Sequence, residues 1–189
     1  MNDERAQRRR RNNMKQLVWL TLICLVAPLA GRAQSSPADP VSSELRQVLD
    51  TFAKNVVAAG EEFPVDKYTY HPTPEEMTVG RTMAHIAQVN NFACSKIGGV
   101  AAPKGVEAGE TDKDKLVEGL KASMDFCRQA FSGLTDAKLG QSVPGFGGRS
   151  TTQFAMAIEV TNDLADHYAT LSVYLRLNGL LPPTAQKKE

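Results

Sequence analysis

The sequence predicts an all-α fold, a four-helix bundle, on three observations. Four stretches of about 20 residues repeat their apolar side chains with the 3.6-residue period of a helix. No stretch of the body alternates apolar and polar residues as a half-buried strand does. The breaks between the periodic stretches, at residues 63–76, 98–110 and 135–149, are rich in Gly or Pro, which stop helices. At 189 residues the chain has the length of one domain with an appendage.

The appendage is N-terminal. Arg8 to Arg11 and Lys15 form a positive start, Leu17 to Ala30 an uncharged apolar run, and Gly31-Arg32-Ala33 places small residues at the −3 and −1 positions of a cut after Ala33. That is the pattern of a secretory signal peptide over residues 1–33. The apolar run is short for a bilayer and Pro28 interrupts its end, so a retained anchor is the lesser alternative. Met14-Lys15 would also begin a compact signal. Arg10-Arg11 resembles a twin-arginine start, but Asn13 stands where an aromatic is preferred, which favours ordinary secretion. The expectation is an exported protein, periplasmic or extracellular, with no membrane attachment once the signal is removed. Residues 34–40 read as a flexible leader and 184–189 as a disordered tail.

Charge follows the same division. Seven of the 22 Lys/Arg but only two of the 21 Asp/Glu lie in residues 1–33, which leaves a body with 15 basic and 19 acidic side chains, a net −4. A mildly acidic body without a basic stripe excludes nucleic acid as the expected partner.

The bundle is expected over residues 41–183. Helix one, from about Val41 to Glu62, carries Leu45, Val48, Leu49, Phe52, Val56 and Ala59 on one face, with Ser42 or Ser43 as cap. Thr73-Pro74-Glu75-Glu76 has the form of a capping box ahead of helix two, from about Thr78 to Ile97, which Gly98-Gly99 ends. Helix three, from about Asp112 to Leu134, has Leu116, Leu120, Met124, Cys127 and Phe131 as its inner stripe and a cap near Thr111. Helix four starts near Ser150 or Thr151 and ends at Asn178-Gly179, before Pro182-Pro183. The core is aliphatic and Met-rich. The glycines of Pro144–Arg149 precede a helix, but no strand comes before them and no Lys-Ser/Thr follows, so they read as a sharp turn rather than a phosphate loop.

Without the signal, Cys94 and Cys127 are the only cysteines, and export makes their disulfide the expected pairing. It needs the late parts of helices two and three to lie close. Two buried free thiols are the alternative.

Three histidines are present, and His71 before Pro72 reads as a solvent-facing loop residue. On a wheel at about 100° per residue, His85 borders the apolar arc of Ile86, Val89, Ala93 and Ile97. Asp163 and His167, four residues apart, share one face and border their own helix's arc in the same way. Such a pair is either a buried His–Asp hydrogen bond with His85 separate, or two ligands of one metal ion with His85 as the third. Glu159, one turn earlier, is a base, a substitute ligand or a solvated residue, and Asn90 and Asn91 are polar contacts or locally bonded side chains.

Two stretches bear on that choice. Thr78-Val79-Gly80-Arg81-Thr82-Met83-Ala84-His85-Ile86-Ala87 resembles the second helix of DinB/YfiT-like proteins. Asp163-Leu164-Ala165-Asp166-His167-Tyr168, with Tyr174-Leu175-Arg176 and Gly179 to Pro183, resembles that family's last helix and exit, and Pro72-Thr73-Pro74 also fits. The likeness spans most of residues 41–183. It implies a DinB-type bundle with a long crossover connection, often a dimer. It also implies a divalent metal, commonly zinc or nickel, held by three His, which carry over to His85, the position of Asp163, and His167. Asp163 departs from the family's pattern, although a carboxylate can ligate in its place.

The function implied is that of a divalent-metal-binding bundle, a metal-dependent transferase or hydrolase acting on a small molecule. Relatives in the superfamily are metal-dependent transferases and isomerases that use low-molecular-weight thiols. Asp163 and the export signal both count against thiol transfer here, since those thiols are cytoplasmic. The alternative is a non-catalytic, stress-associated binding or dimerisation module with a degenerate metal site.

Overall fold

The computed structural model describes residues 38–107 and 109–187, and within them the four periodic stretches are four α-helices. We number them α1 (Pro40–Glu62), α2 (Val79–Gly98), α3 (Lys113–Ser132) and α4 (Gln153–Leu177). The expected signal over residues 1–33, and the leader as far as residue 37, lie outside the described residues.

The helix starts show which local signals won. Pro40 begins α1 before the two serines, so Ser42 and Ser43 fall within its first turn and do not cap it. The free N–H groups are instead taken from far along the chain. Asp136 accepts from the Val41 N–H at 3.2 Å and the Ser42 N–H at 2.8 Å, while Asp39 accepts from the Asp136 N–H at 2.8 Å. Ahead of α2, Thr73–Glu76 closes a turn of its own, Glu76 N–H to Thr73 O at 3.1 Å, and does not cap the helix. The cap is Thr78, whose hydroxyl accepts from the Arg81 N–H at 3.2 Å. The Val79 and Gly80 amides donate to Tyr70 O and Tyr68 O, at 3.0 and 2.9 Å. Asp112 caps α3, accepting from the Lys115 N–H at 3.0 Å, and Thr152 caps α4, accepting from the Ala155 N–H at 3.1 Å.

The loop expected over residues 135–149 contains a small antiparallel hairpin, β1 (Ser142–Pro144) with β2 (Ser150–Thr152), in the register Ser142↔Thr152, Val143↔Thr151, Pro144↔Ser150. Its turn uses Gly147 at φ 66° and Gly148 at φ 75°, left-handed conformations that favour glycine. Three residues per strand are too few to alternate visibly. Because Ser150 to Thr152 are engaged in pairing, α4 starts at Gln153 rather than at Ser150 or Thr151.

The bundle is not simple up-and-down winding. α1 packs on α3 and α4, and α2 packs on the same two, so α1 and α2 sit diagonally, as do α3 and α4. Residues 63–78 and 133–152 therefore each cross the bundle. The consequence for function is that α2 and α4 are direct neighbours. Gln153 Nε2 donates to Ile97 O at 3.4 Å, so the C-terminal end of α2 meets the N-terminal end of α4. His85 is thereby brought level with the middle of α4.

The core is as aliphatic and Met-rich as the sequence implies: Leu49, Met83, Ile86, Leu116, Leu120, Met124, Met156, Leu164 and Leu171 are fully buried, with Phe63 and Phe131. Cys94 and Cys127 are also fully buried and form a disulfide, Cα–Cα 5.1 Å, joining α2 to α3. Past α4 the chain is held further than expected. Pro183–Ala185 form one 3-10 turn, and Thr184 bonds the Tyr168 hydroxyl through its side chain, at 2.7 Å, and its N–H, at 3.1 Å. Among the described residues no helix is long and apolar enough to cross a membrane.

Candidate metal centre

His85 comes from α2, where its neighbours Thr82, Met83, Ile86 and Ala87 point inward and anchor that face. The His85 ring sits at the rim, its side chain 41% exposed. Asp163 and His167 come from α4, on the edge of the buried arc of Val160, Leu164 and Leu171, with side chains 21% and 10% exposed. Because α2 and α4 pack directly, the two rims meet. One donor atom from each of the three residues lies within 4.8 Å of each of the others. The two imidazole rings are 5.0 Å apart between centroids and nearly perpendicular.

Asp163 stands between the two imidazoles. Asp163 Oδ1 is 3.4 Å from His167 Nε2 and 3.7 Å from His85 Nε2. Both are long for a hydrogen bond, and 3.7 Å is beyond one. Ligands roughly 2.1 Å from a tetrahedral ion stand about 3.4 Å from one another. The same carboxylate oxygen thus addresses both imidazoles at ligand-to-ligand spacing, and His85 is not a separate boundary histidine. Asp163 Oδ2 is buried and has no hydrogen-bond partner. A buried, partnerless carboxylate oxygen is costly alone, and a cation at the cluster would compensate it. Two imidazoles and one carboxylate are a recognised donor set for a divalent ion. The residues present fit a divalent metal.

Two hollows flank the cluster. A cleft of about 420 Å³ is lined by His85 together with Tyr68, Thr78, Arg81, Gln88 and Glu110. A shallower one on the α4 side is lined by Ile158, Glu159, Asn162, Asp163 and Asp166. In the cleft, Glu110 is held below the usual carboxylate range by the N–H groups of Asp112 and Thr111, and Tyr68 is pushed above its usual value, first by burial and then by Asp114 and Glu61. The buried Tyr68 hydroxyl donates to Gly60 O at 2.8 Å.

The remaining sequence candidates separate from the cluster. His71 is exposed, its Nδ1 2.6 Å from Thr73 O. Asn90 faces α3, donating to Ser123 Oγ at 3.1 Å, and Asn91 is buried beside it in the chain. Glu159 shares the shallow hollow with Asp163 but is not one of the three convergent groups. Sequence reasoning did not single out Arg81, which lines the cleft. It lies one helical turn before His85 on the same face, a spacing visible in the sequence once His85 is taken as a site residue.

The family model described as the DinB superfamily matches residues 48–171. No curated protein matches the chain. Solved structures share the fold. A DinB-like protein from Bacillus cereus ATCC 10987 has a TM-score of 0.63 at 19% identity, over 75% of this chain and 95% of its own. A DinB-like protein from Bacillus subtilis has a TM-score of 0.58 at 23% identity, over 75% and 99%. A conserved protein from Enterococcus faecalis has a TM-score of 0.57 at 14% identity, over 72% and 95%.

Proposed function

The chain belongs to the DinB superfamily, and from that premise we propose that it is an exported, metal-dependent enzyme acting on a small molecule, with His85, Asp163 and His167 holding a divalent ion, zinc or nickel. One observation carries the reading: three donors from two crossing helices converge at the rim of the bundle, with His85 bordering a cleft. Three protein ligands leave a position open, which is the arrangement of catalytic rather than structural sites. A metal there supplies a Lewis acid that polarises a substrate oxygen and activates a water or thiol.

The residues around it have separate tasks. His167 and Asp163, one turn apart on α4, fix two ligand directions on a rigid helix. His85, the most exposed of the three, faces incoming substrate. Glu159 lines the hollow beside Asp163, and in this reading it is the carboxylate that accepts a proton from water. Hydrolysis is favoured over thiol transfer, because export separates the protein from cytoplasmic thiols.

The second reading, a non-catalytic module with a degenerate site, has one observation in its favour. Neither imidazole has a hydrogen-bond partner among the described residues, Asp163 Oδ1 standing at 3.4 and 3.7 Å, whereas catalytic metal ligands usually have such support. The deciding experiment assays the metal-loaded protein against small-molecule esters, amides and thiol-conjugation substrates, before and after chelation. Turnover lost on chelation and restored by zinc or nickel is expected. No stoichiometric metal and no metal-dependent turnover would favour the module instead.

A further inference from the structure

The cleft beside His85 is walled by α2 on one side and by residues 109–111 on another. Most of its polar groups are already engaged. The Thr78 hydroxyl caps α2, and the Val79 and Gly80 amides donate to backbone carbonyls, so this helix end has no free N–H from those residues for a ligand. The Glu110 carboxylate accepts from the N–H groups of Thr111 and Asp112, both at 2.9 Å, and pairs with Lys115 at 3.4 Å. Gln88 reaches Val106 O at 3.5 Å. Arg81 differs: among the described residues its exposed guanidinium forms no ion pair and no hydrogen bond. The negative charge of Glu110 is compensated by Lys115 and backbone amides, and among the described residues the positive charge of Arg81 is not.

Arg81 and His85 stand one helical turn apart, roughly 6 Å, on the same face of α2. We infer that the small molecule this cleft takes carries an anionic group, a carboxylate or a phosphate, which pairs with the Arg81 guanidinium and so presents the rest of the molecule at His85. A guanidinium fork suits either anion, because its paired N–H groups match two oxygens at once. The inference rests on the metal reading for the fate of the bound molecule, and on Arg81 alone for its capture.

The test titrates inorganic phosphate, malonate and uncharged malonamide into metal-free and zinc-loaded protein, wild type and Arg81→Gln, and follows the guanidinium and imidazole NMR signals with zinc content measured in parallel. Both anions are expected to shift the Arg81 signal in the metal-free protein and to bind about tenfold more weakly in R81Q, with zinc content unchanged and malonamide inert. Malonate binding alone assigns a carboxylate, and phosphate binding alone a phosphate. Anion affinities equal in wild type and R81Q, or no binding at millimolar concentrations, would overturn the inference while leaving the metal reading intact. Arg81-dependent anion binding in a protein that takes up no zinc would support the capture role and remove the metal reading.

Discussion

Asp163 Oδ1 lies 3.7 Å from His85 Nε2, across the seam between α2 and α4. The separation is too long for a hydrogen bond and suits two ligands of one ion. As it stands, the seam holds two imidazoles against a carboxylate whose second oxygen is buried without a partner. A cation bound there interacts with both helices at once.

Metal should therefore stabilise the fold. Zinc or nickel at a hundredfold excess over its dissociation constant is expected to add about 2.7 kcal/mol, read as a rise in Tm by calorimetry. Asp163→Ala should abolish that rise. A Tm unmoved by either metal would place the three residues outside any binding site.

The clasp between Asp136 and the start of α1 predicts a pH dependence. The backbone N–H of Ser42 is the main cause holding the Asp136 carboxyl below its ordinary range, with Val41 N–H and Arg46 adding to it. A lowered folded-state pKa contributes stability above the unfolded value, near about 3.9, and loses it as pH falls through the folded value. Asp136→Ala should lower Tm by a few degrees at neutral pH, and the gap from wild type should close as the pH falls below the ordinary carboxylate range. A gap that persists in acid would mean that packing, not the charged clasp, carries the effect.

Much of the fold was legible because burial imposes the helical period. The stripe Leu116, Leu120, Met124, Cys127 and Phe131 is fully buried as read. The helix starts were less legible, because the partner was not local: nothing near Ser42 in sequence signals that Asp136 will take its N–H. The hairpin escaped for a different reason, since strands of three residues carry too short a pattern to detect. At the site, helical spacing placed Asp163 and His167 together, but it is the direct packing of α2 on α4 that brings His85 to them. Arg81 went unread because an exposed arginine on a helix is ordinary until the cleft beside it is seen.

The Cys94–Cys127 bond closes a loop of sequence separation 33. Chain entropy alone makes its reduction cost about 3–4 kcal/mol, measurable by urea denaturation with and without reductant. A chain lacking residues 1–33, denatured without reductant, should show no free thiol. Two reactive thiols per chain would contradict the pairing.

The proposed export predicts a defined product. Mass spectrometry of the protein from the extracytoplasmic fraction should give a chain that begins at Gln34, after the cut following Ala33. A chain retaining residues 1–33 in the membrane fraction would favour an anchor instead.

The most direct test of the central claim is metal affinity, measured by chelator competition on wild type, His85→Ala, Asp163→Ala and His167→Ala. Wild type should bind about one equivalent of zinc or nickel, and each variant should lose at least about a hundredfold in affinity with the helical content unchanged. A wild type with no stoichiometric metal, or a His85→Ala or Asp163→Ala variant that binds as wild type does, would contradict it.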